Sequence, residues 1–450
     1  MPTHRPLLRS STVPFLASLA AAAGMLFLFS HLGPLDGAVP GARRLLRNVH
    51  VVDLSGGRPG ADAVDFLWQD GLIREVGQGL NPAGADVVEG HGAWVLPAPA
   101  DAGVFLSLEG RLPADSVPAE AAQSLRLQAG AGVGLLLDLN AHRSFMAAAR
   151  ALPDPKPRVL FAGALFTAPG GWRLSGQTPW NSHLAEILET ADLDAPWQRL
   201  LRFGDQAVFA SVEHEGRDDL AIPLPVLQEL GRRAREQGLP FIIHVQHHAK
   251  ALQALQARPS ALLGPIIDAG DDTALAKALV AGHCAYLPAL GSVLNAIPGQ
   301  ALEAWQRGFP ASASVAVETL RQATDPDRAG QWVKHWTRQD VTTAQVLAVP
   351  AALAANGATL ALATGSGLPL VFHGVGLQAE LAWMSRAGLS QSQVLTAACV
   401  NSRALLGQGA GRLAAGQPAD LLLLRADPMS DPSAMERVQA LYVAGEPVPR

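Results

Sequence analysis

The stretch GHGAWVLPAPADAGVFLSL, residues 90–108, leads from a β-rich segment into a long region of alternating elements. Its apolar run at 94–96 is the first of eight. Helical stretches separate the runs; in one of them, 224–238, leucines at 224, 227 and 230 and an alanine at 234 share one face. The other seven runs occupy residues 132–139, 158–165, 206–212, 240–246, 260–266, 285–290 and 359–366.

This alternation predicts the fold of the central region, about residues 98–405. Continuous apolar strands that alternate with helices are typical of a parallel sheet, and eight of them predict a closed (β/α)8 barrel. A doubly wound open sheet is the alternative. That fold typically has a glycine-rich phosphate-binding turn after an early strand. The sequence contains neither a G-x-G-x-x-G motif nor a P-loop.

Both ends of the chain beyond residue 42 are rich in strand-like runs. Residues 43–97 contain apolar runs around a hairpin turn signal, Asp70-Gly71, and residues 406–450 again alternate strand and turn. We therefore predict one small β domain assembled from these two segments.

The first residues differ from the rest. Residues 1–12 form a basic segment with Arg5 and Arg9, and residues 13–32 contain no Asp, Glu, Lys or Arg. About 20 residues in a helix span the ~30 Å hydrocarbon layer of a bilayer. The pattern predicts a single-pass anchor in the cell membrane of a bacterium, with the body on the periplasmic or extracytoplasmic side. Secretion after cleavage of a signal peptide is the alternative.

Composition excludes some classes of function. Charged residues make up 16% of the chain and the net charge is −5, so no basic surface for nucleic acid is expected. The two cysteines, Cys284 and Cys399, form no zinc motif. Either one disulfide or two separate buried thiols is compatible with the sequence.

Several motifs resemble the amidohydrolase superfamily, in particular its prolidase-like and imidazolonepropionase-like branch. They are DGLIREVG (70–77), GHGAWVLPAPAD (90–101), and the block ELAWMSRAGLSQSQVLTAACVNSRALLG (380–407) with GRLAAGQPADLLLLRADP (411–428). The resemblance covers about residues 43–435. It implies a metal-dependent hydrolase, in which histidines and a carboxylate bind one or two divalent ions and the carboxylate takes a proton from metal-bound water.

The resemblance also implies that most of the metal ligands are lost. The family's H-x-H pair at the first strand corresponds to Gly103 and Phe105, in register with Asp101. The lysine of strand 4 corresponds to Val208 or Phe209, and the histidine of strand 6 to Gly264. The aspartate of strand 8 becomes Gly365, in the sequence Ala363-Thr364-Gly365. His244 is the one ligand retained, so the resemblance implies a degenerate site without a metal cofactor.

Further residues are candidates for the same face of the barrel. The pocket candidates are His247, His248, His214, His373 and Trp172. The histidines could instead form a new site for zinc or another divalent metal. Asp268, Asp271 and Asp272 are expected to cap the next helix, and Asp138 to anchor a loop.

Three hypotheses of function follow. The first is a non-catalytic, membrane-tethered homologue that binds a ligand or a protein partner, such as an active paralogue. The second is an active metal-dependent hydrolase of amide or peptide-like C–N bonds with an altered metal site. The third is a structural subunit.

Overall fold

The computed structural model describes residues 43–55, 62–107, 117–171, 184–214, 220–297, 326–409 and 411–450. The predicted anchor at 13–32 and the pocket candidate Trp172 lie outside these ranges. Among the described helices, none is both long enough and apolar enough to cross a membrane.

Strands from both ends of the chain form one seven-stranded sheet. In the sheet they run in the order β16-β15-β14-β4-β1-β2-β3. The turn between β2 and β3 has φ of 55° at Asp70 and 72° at Gly71, as a two-residue hairpin of the predicted kind requires. The strands are β1 Arg43–Val51, β2 Val64–Gln69, β3 Leu72–Gly77, β4 Asp86–Pro97, β14 Leu421–Leu424, β15 Val438–Val443 and β16 Glu446–Pro447.

The described part of the central region contains nine short strands with parallel pairing, in the orders β5-β6-β7 and β13-β12-β11-β10-β8-β9. They are β5 Ala100–Val104, β6 Leu135–Asp138, β7 Arg158–Phe161, β8 Leu165–Thr167, β9 Leu184–Glu186, β10 Val208–Ser211, β11 Phe241–His244, β12 Ala261–Leu263 and β13 Ala285–Leu287.

Backbone hydrogen bonds close these strands into a ring. Gln206 N donates to Phe161 O at 2.7 Å, which joins β7 to the segment just before β10. Tyr286 N donates to Thr359 O at 2.9 Å, and Ala102 N donates to Leu362 O at 2.9 Å. The segment after residue 358 therefore pairs with β13 on one side and β5 on the other, which completes the barrel.

Helices follow the strands in the order expected of a (β/α)8 fold. On α4, Leu227, Leu230 and Ala234 of the predicted apolar face are buried. Cys284 and Cys399 are both free, buried thiols. The helices are α1 Val117–Gly130, α2 Arg143–Ala151, α3 Asp194–Arg202, α4 Leu224–Glu236, α5 His248–Leu255, α6 Asp272–Ala281, α7 Gly291–Leu294, α8 Pro326–Arg338, α9 Thr343–Ala355, α10 Val375–Arg386, α11 Gln391–Thr396 and α12 Ser402–Leu405.

Three of the predicted runs need correction. The run at 94–96 belongs to β4 of the seven-stranded sheet, and the first barrel strand is β5. The run at 158–165 divides into β7 and β8, which pair with different neighbours. The run at 359–366 forms no regular strand and is held by backbone hydrogen bonds to β13 and β5 and by an isolated bridge between Tyr286 and Leu360. Hydrophobicity marks a buried run, but it does not say which sheet the run joins.

A buried ion pair connects the barrel with the seven-stranded sheet. Arg403 on α12 pairs with Asp420, just before β14, and both side chains are buried. Arg403 also donates to Ala98 O at 3.1 Å, next to the start of β5. Asp420 accepts a further hydrogen bond from Ala444 N at 2.7 Å. Because each partner has additional hydrogen bonds, the pair is well satisfied despite its burial.

Hydrogen bonds to Asp101 hold the last barrel segment against β5, the first strand of the barrel. Its carboxylate is fully buried and accepts from Thr364 Oγ1 at 2.6 Å, Thr364 N at 3.0 Å and Gly103 N at 3.2 Å. Burial raises the pKa of Asp101 to about 7, although the hydrogen bonds from Thr364 and Gly103 oppose this shift.

The pKa of Asp101 predicts a dependence of stability on pH. The ordinary value is 3.8 and the folded value is about 7, so the folded state holds this proton more tightly. The free energy of unfolding should therefore fall as the pH rises from about 4 to about 7, by at most about 1.4 kcal/mol per pH unit from this group. Asp101→Asn should flatten this fall, measured by urea unfolding of the full chain at several pH values.

Asp86→Asn is the matched control, since the Asp86 side chain is 73% exposed and its removal should leave the slope unchanged. Some slope should persist in Asp101→Asn, because burial also raises the pKa of Asp138 to about 7 and of Glu380 to about 8. Equal slopes in wild type and Asp101→Asn would contradict the prediction.

Candidate ligand-binding site

A pocket lies at the mouth of the barrel, where the strands end. Residues of β5, β11 and β12, of the loops after the last strands and of α8 surround it. The lining residues are Gly103, Phe105, His244, Gln246, Leu263, Gly264, Ala289, Ser292, Trp332, Trp336, Gly365 and Leu368.

By resemblance, five positions of this chain correspond to the metal-binding histidines and aspartate of the family. All five lie in this one pocket. Gly103, Phe105, His244, Gly264 and Gly365 are separated by up to 262 residues in sequence, yet each of them lines it. Closure of the barrel therefore brings together positions that lie at the ends of four different strands.

His244 is the one of these five with a polar side chain. It is 5% exposed at the end of β11, and its Nδ1 lies 2.9 Å from Ser211 Oγ. Burial lowers the pKa of His244 to about 4, while the charge of Glu213 works in the opposite direction. The imidazole is therefore neutral at physiological pH.

Two glycines of the pocket sit where a side chain would not fit. A Cβ on Gly103 would lie 2.8 Å from the Ala363 methyl group and 3.3 Å from Leu139 Cδ1. Gly264 has φ of 116°, and a Cβ there would lie 2.7 Å from Val245 O and 3.0 Å from His244 Cδ2. A side chain is thus disfavoured at Gly264 by the backbone conformation and by Val245 O, and at Gly103 by the neighbouring side chains.

The structure places the two strand-4 candidates before the end of their strand. Val208 and Phe209 lie in the first half of β10, and Phe209 packs in the barrel interior with its ring centroid 6.3 Å from that of Phe105. Ser211 ends the strand and pairs in register with His244. Because side chains alternate along a strand, Ser211 shares the inward face of Phe209. Ser211 is therefore the residue level with His244. Like Val208 and Phe209, it is not a metal ligand of the lysine type.

His247 belongs to a separate ion cluster. Its Nδ1 lies 3.1 Å from Glu213 Oε2, which also accepts from Lys250 Nζ at 2.9 Å. Burial disfavours the charge of Glu213, but hydrogen bonds from His247 and Lys250 outweigh it and lower the pKa of Glu213 to about 2. The hydrogen bond to Glu213 raises the pKa of His247.

His248 links the start of α5 to the start of α6 and to the loop that precedes it. Its Nδ1 lies 2.9 Å from Asp268 Oδ1 and its Nε2 lies 2.8 Å from Asp272 Oδ1. Of the three aspartates expected to cap α6, Asp271 does so by accepting from Ala274 N at 2.9 Å. Asp268 and Asp272 bind His248 instead, because the turn after β12 brings them against the start of α5.

The remaining histidine candidates lie apart from the pocket lining. His373 is buried, with Nδ1 3.3 Å from Gln128 Nε2 on α1. His214 lies beside Gly170, in the loop after β8. Asp138 anchors the loop after β5, as expected, by accepting from Leu106 N at 3.1 Å and Asn140 N at 3.0 Å.

Two tryptophans of α8 were missed by the sequence reasoning. Trp332 is fixed by a hydrogen bond from its Nε1 to Ser292 O at 2.9 Å, and Trp336 packs edge-on against it with ring centroids 5.7 Å apart. Their spacing of four residues on an amphipathic helix, in a chain with 5% aromatic residues, was an available signal.

The donor set of the pocket does not fit a catalytic divalent ion. Such a site needs about three protein ligands of the His, Cys, Asp or Glu type and an open position for water. Of the described residues that line the pocket, His244 alone belongs to these types. Nowhere in the described ranges do three such side chains stand close enough together to hold a metal.

A barrel with its pocket at the carboxyl ends of the strands, flanked by a sheet from both chain ends, defines the class of protein. The chain belongs to the amidohydrolase family: the family model, described as "Amidohydrolase family", matches residues 93–448. No match appears among curated proteins.

Solved structures share the fold. A Xaa-Pro dipeptidase with bound methionine in its active site is 15% identical, with 90% of this chain and 100% of that chain covered and a TM-score of 0.70. A putative prolidase from Bifidobacterium longum is 18% identical, with 92% and 96% covered and a TM-score of 0.71. An ochratoxinase from A. niger is 15% identical, with 91% and 95% covered and a TM-score of 0.66. At these identities the likeness concerns the fold alone.

The contact between Gly103 and Ala363 predicts a coupled pair of substitutions. Gly103→Ala should lower the free energy of unfolding by about 1–3 kcal/mol, because the new methyl group overpacks the barrel interior. Ala363→Gly in the same chain should recover most of that loss, since it removes the atom that the methyl group meets. Urea unfolding of the four chains measures the coupling.

Gly130→Ala is the matched control, because a Cβ there meets nothing within 4 Å. It should change stability little. Strict additivity of Gly103→Ala and Ala363→Gly would show that the two residues do not meet across the barrel.

Proposed function

We propose that this protein is a non-catalytic member of the amidohydrolase family that binds a ligand in the pocket at the barrel mouth. One observation carries the proposal. Four of the five pocket positions that correspond to metal ligands hold glycine or phenylalanine, namely Gly103, Phe105, Gly264 and Gly365.

The chemistry of the family explains why this observation matters. Hydrolysis by this route needs a metal to lower the pKa of a bound water and a carboxylate to take its proton. Glycine at 365 has no group that accepts a proton. Phe105 is buried with its ring against Phe209 and so adds apolar bulk where a ligand atom would stand. His244 by itself supplies one metal bond at most.

The retained pocket supports binding as the remaining function. It has apolar walls, a few polar groups and a cover formed by α8, which is the composition usual for small-molecule sites. An intact barrel with an open mouth can keep a ligand site after the catalytic groups are lost, because the strands and not the ligands hold the fold.

The proposal predicts the result of metal loading. Purified full chain, incubated with Zn²⁺ or Mn²⁺ and then desalted, should retain no stoichiometric metal by plasma mass spectrometry. It should not hydrolyse dipeptides, N-acyl amino acids or lactones. His244→Ala should behave identically in both assays.

An active prolidase treated in parallel controls for the loading procedure. One equivalent of metal in the wild type that disappears in His244→Ala, together with turnover, would overturn the proposal in favour of a hydrolase with an altered site.

We further propose that residues 13–32 tether the protein to the cell membrane with its body on the extracytoplasmic side. The support is the length of the uncharged run and the arginines before it. The full chain should stay in the membrane pellet after carbonate extraction, whereas a chain lacking residues 1–32 should not. A soluble product whose N-terminus begins within or just after the run would instead indicate a cleaved signal peptide.

A further inference from the structure

Apolar and basic side chains share an exposed surface at the end of α3. Leu201 is 38% exposed and Phe203 is 43% exposed. Among the described residues, Phe203 is the one Phe, Tyr or Trp whose side chain is exposed. Arg199 and Arg202, in the last turn of the helix, are exposed beside them. This surface comes just before β10, so it lies at the amino ends of the barrel strands, whereas the pocket lies at their carboxyl ends.

Two further arginines reach the same surface from α2. The guanidinium carbon of Arg143 lies 4.2 Å from the centroid of the Phe203 ring. Arg150 donates to Phe203 O at 3.1 Å and to Gly204 O at 3.2 Å. Because α2 binds both the ring and the backbone of Phe203, the fold holds this aromatic side chain at the surface. We call these six residues the α3 end cluster: Arg143, Arg150, Arg199, Leu201, Arg202 and Phe203.

Most of the positive charge of the α3 end cluster is uncompensated. Arg143 is paired with Asp205, at 2.6 and 2.9 Å. Arg150 donates to backbone carbonyls, which carry no net charge. Within the described ranges, the side chains of Arg199 and Arg202 have no ion pair or hydrogen bond. Three positive charges therefore surround two exposed apolar side chains.

The acidic end of α3 lies apart from this charge. Asp194, in the first turn, pairs with Arg233 of α4 at 2.8 Å. It is eight residues before Arg202, which corresponds to roughly 12 Å along a helix. Basic residues in a last turn also complement the helix dipole, but that effect does not require exposed leucine and phenylalanine beside them.

This combination of side chains fits the surface of an anionic bilayer. Apolar side chains enter the boundary between headgroups and acyl chains by about 5–10 Å, and neighbouring arginines are attracted to anionic headgroups. A small anion in solution would engage the arginines but leave Leu201 and Phe203 in water. The bilayer surface is the partner that satisfies both halves of the cluster.

We propose that the α3 end cluster contacts the anionic surface of the membrane. This inference rests on the proposed tether at residues 13–32, which keeps the chain at that surface. Contact through the amino ends of the strands directs the barrel mouth, at their carboxyl ends, away from the bilayer. The pocket then faces the aqueous phase.

A fluorophore placed beside the cluster tests the contact. Gln198 is exposed one turn before Leu201 and Arg202, so Gln198→Cys carries a maleimide dye on their face of the helix. The two native cysteines are buried and do not compete for the dye. Thr273→Cys, exposed in the first turn of α6 beside the mouth, is the matched control position.

The labelled full chains are placed in nanodiscs whose lipids carry bromine near the carbonyl end of the acyl chain. The dye at position 198 should be quenched when the nanodiscs contain anionic phosphatidylglycerol, and much less when they contain phosphatidylcholine alone. The dye at position 273 should be quenched in neither. Fluorescence lifetimes separate the quenched from the unquenched population, and their ratio measures the contact.

Substitution of arginines tests the role of charge. The ratio should fall about thirtyfold in the double variant Arg199→Gln with Arg202→Gln, because each arginine near an anionic surface contributes about a fivefold preference. Arg232→Gln with Arg425→Gln is the matched control. Both residues are exposed and lie outside the cluster, so this pair changes the net charge equally and should leave the ratio unchanged.

Equal quenching at the two dye positions, or equal ratios in the two arginine double variants, would overturn the inference. An unquenched dye at position 198 would also overturn it and would indicate an acidic protein as the partner of the cluster. Retention of the chain in nanodiscs on size exclusion reports on the tether separately. If the chain is not retained, brominated vesicles of the same lipids added to the soluble chain give the same comparison, so the cluster is tested even where the tether fails.

Discussion

The buried carboxylate of Asp101 is the constraint on which the barrel mouth depends. The last barrel segment makes little regular sheet, and its contacts with β5 include two hydrogen bonds that Asp101 accepts from Thr364. These bonds set the register in which Gly103 faces Ala363 and Phe105 N meets Ser366 O at 2.7 Å. The cost is a carboxyl group with a raised pKa in an apolar interior. The stability of the closed barrel and its dependence on pH therefore have a common origin.

The same closure explains the character of the site. Small residues at 103 and 363 let the first and last strands approach closely, and Phe105 fills the interior against Phe209. What remains at the mouth is a pocket with one neutral imidazole, one amide, one hydroxyl and two indoles. Such a pocket has the shape of an active site of the family without the donor set that binds a metal.

The sequence reasoning succeeded where a local signal was strong. The turn at Asp70-Gly71 and the helix at 224–236 follow from residue types within a few positions. It failed where the outcome depended on distant partners. His247 and His248 both follow shortly after the strand that ends in His244, yet neither lines the pocket. His248 is bound by Asp268 and Asp272, and His247 is bound by Glu213. Ser211 was passed over because the end of β10 is defined by pairing with β11 and not by composition.

By itself, the sequence determined the alternation of strands and helices, the two β-rich ends and the family to which the chain belongs, because periodicity and long motifs are properties of neighbouring residues. Only the tertiary structure decided which segment starts the barrel, since residues 94–96 and residues 100–104 are separated by no more than Pro97, Ala98 and Pro99. It also decided that residues as distant as Gly103 and Gly365 share a pocket covered by Trp332 and Trp336. The reason is physical: closing a ring of parallel strands brings together ends that lie far apart along the chain.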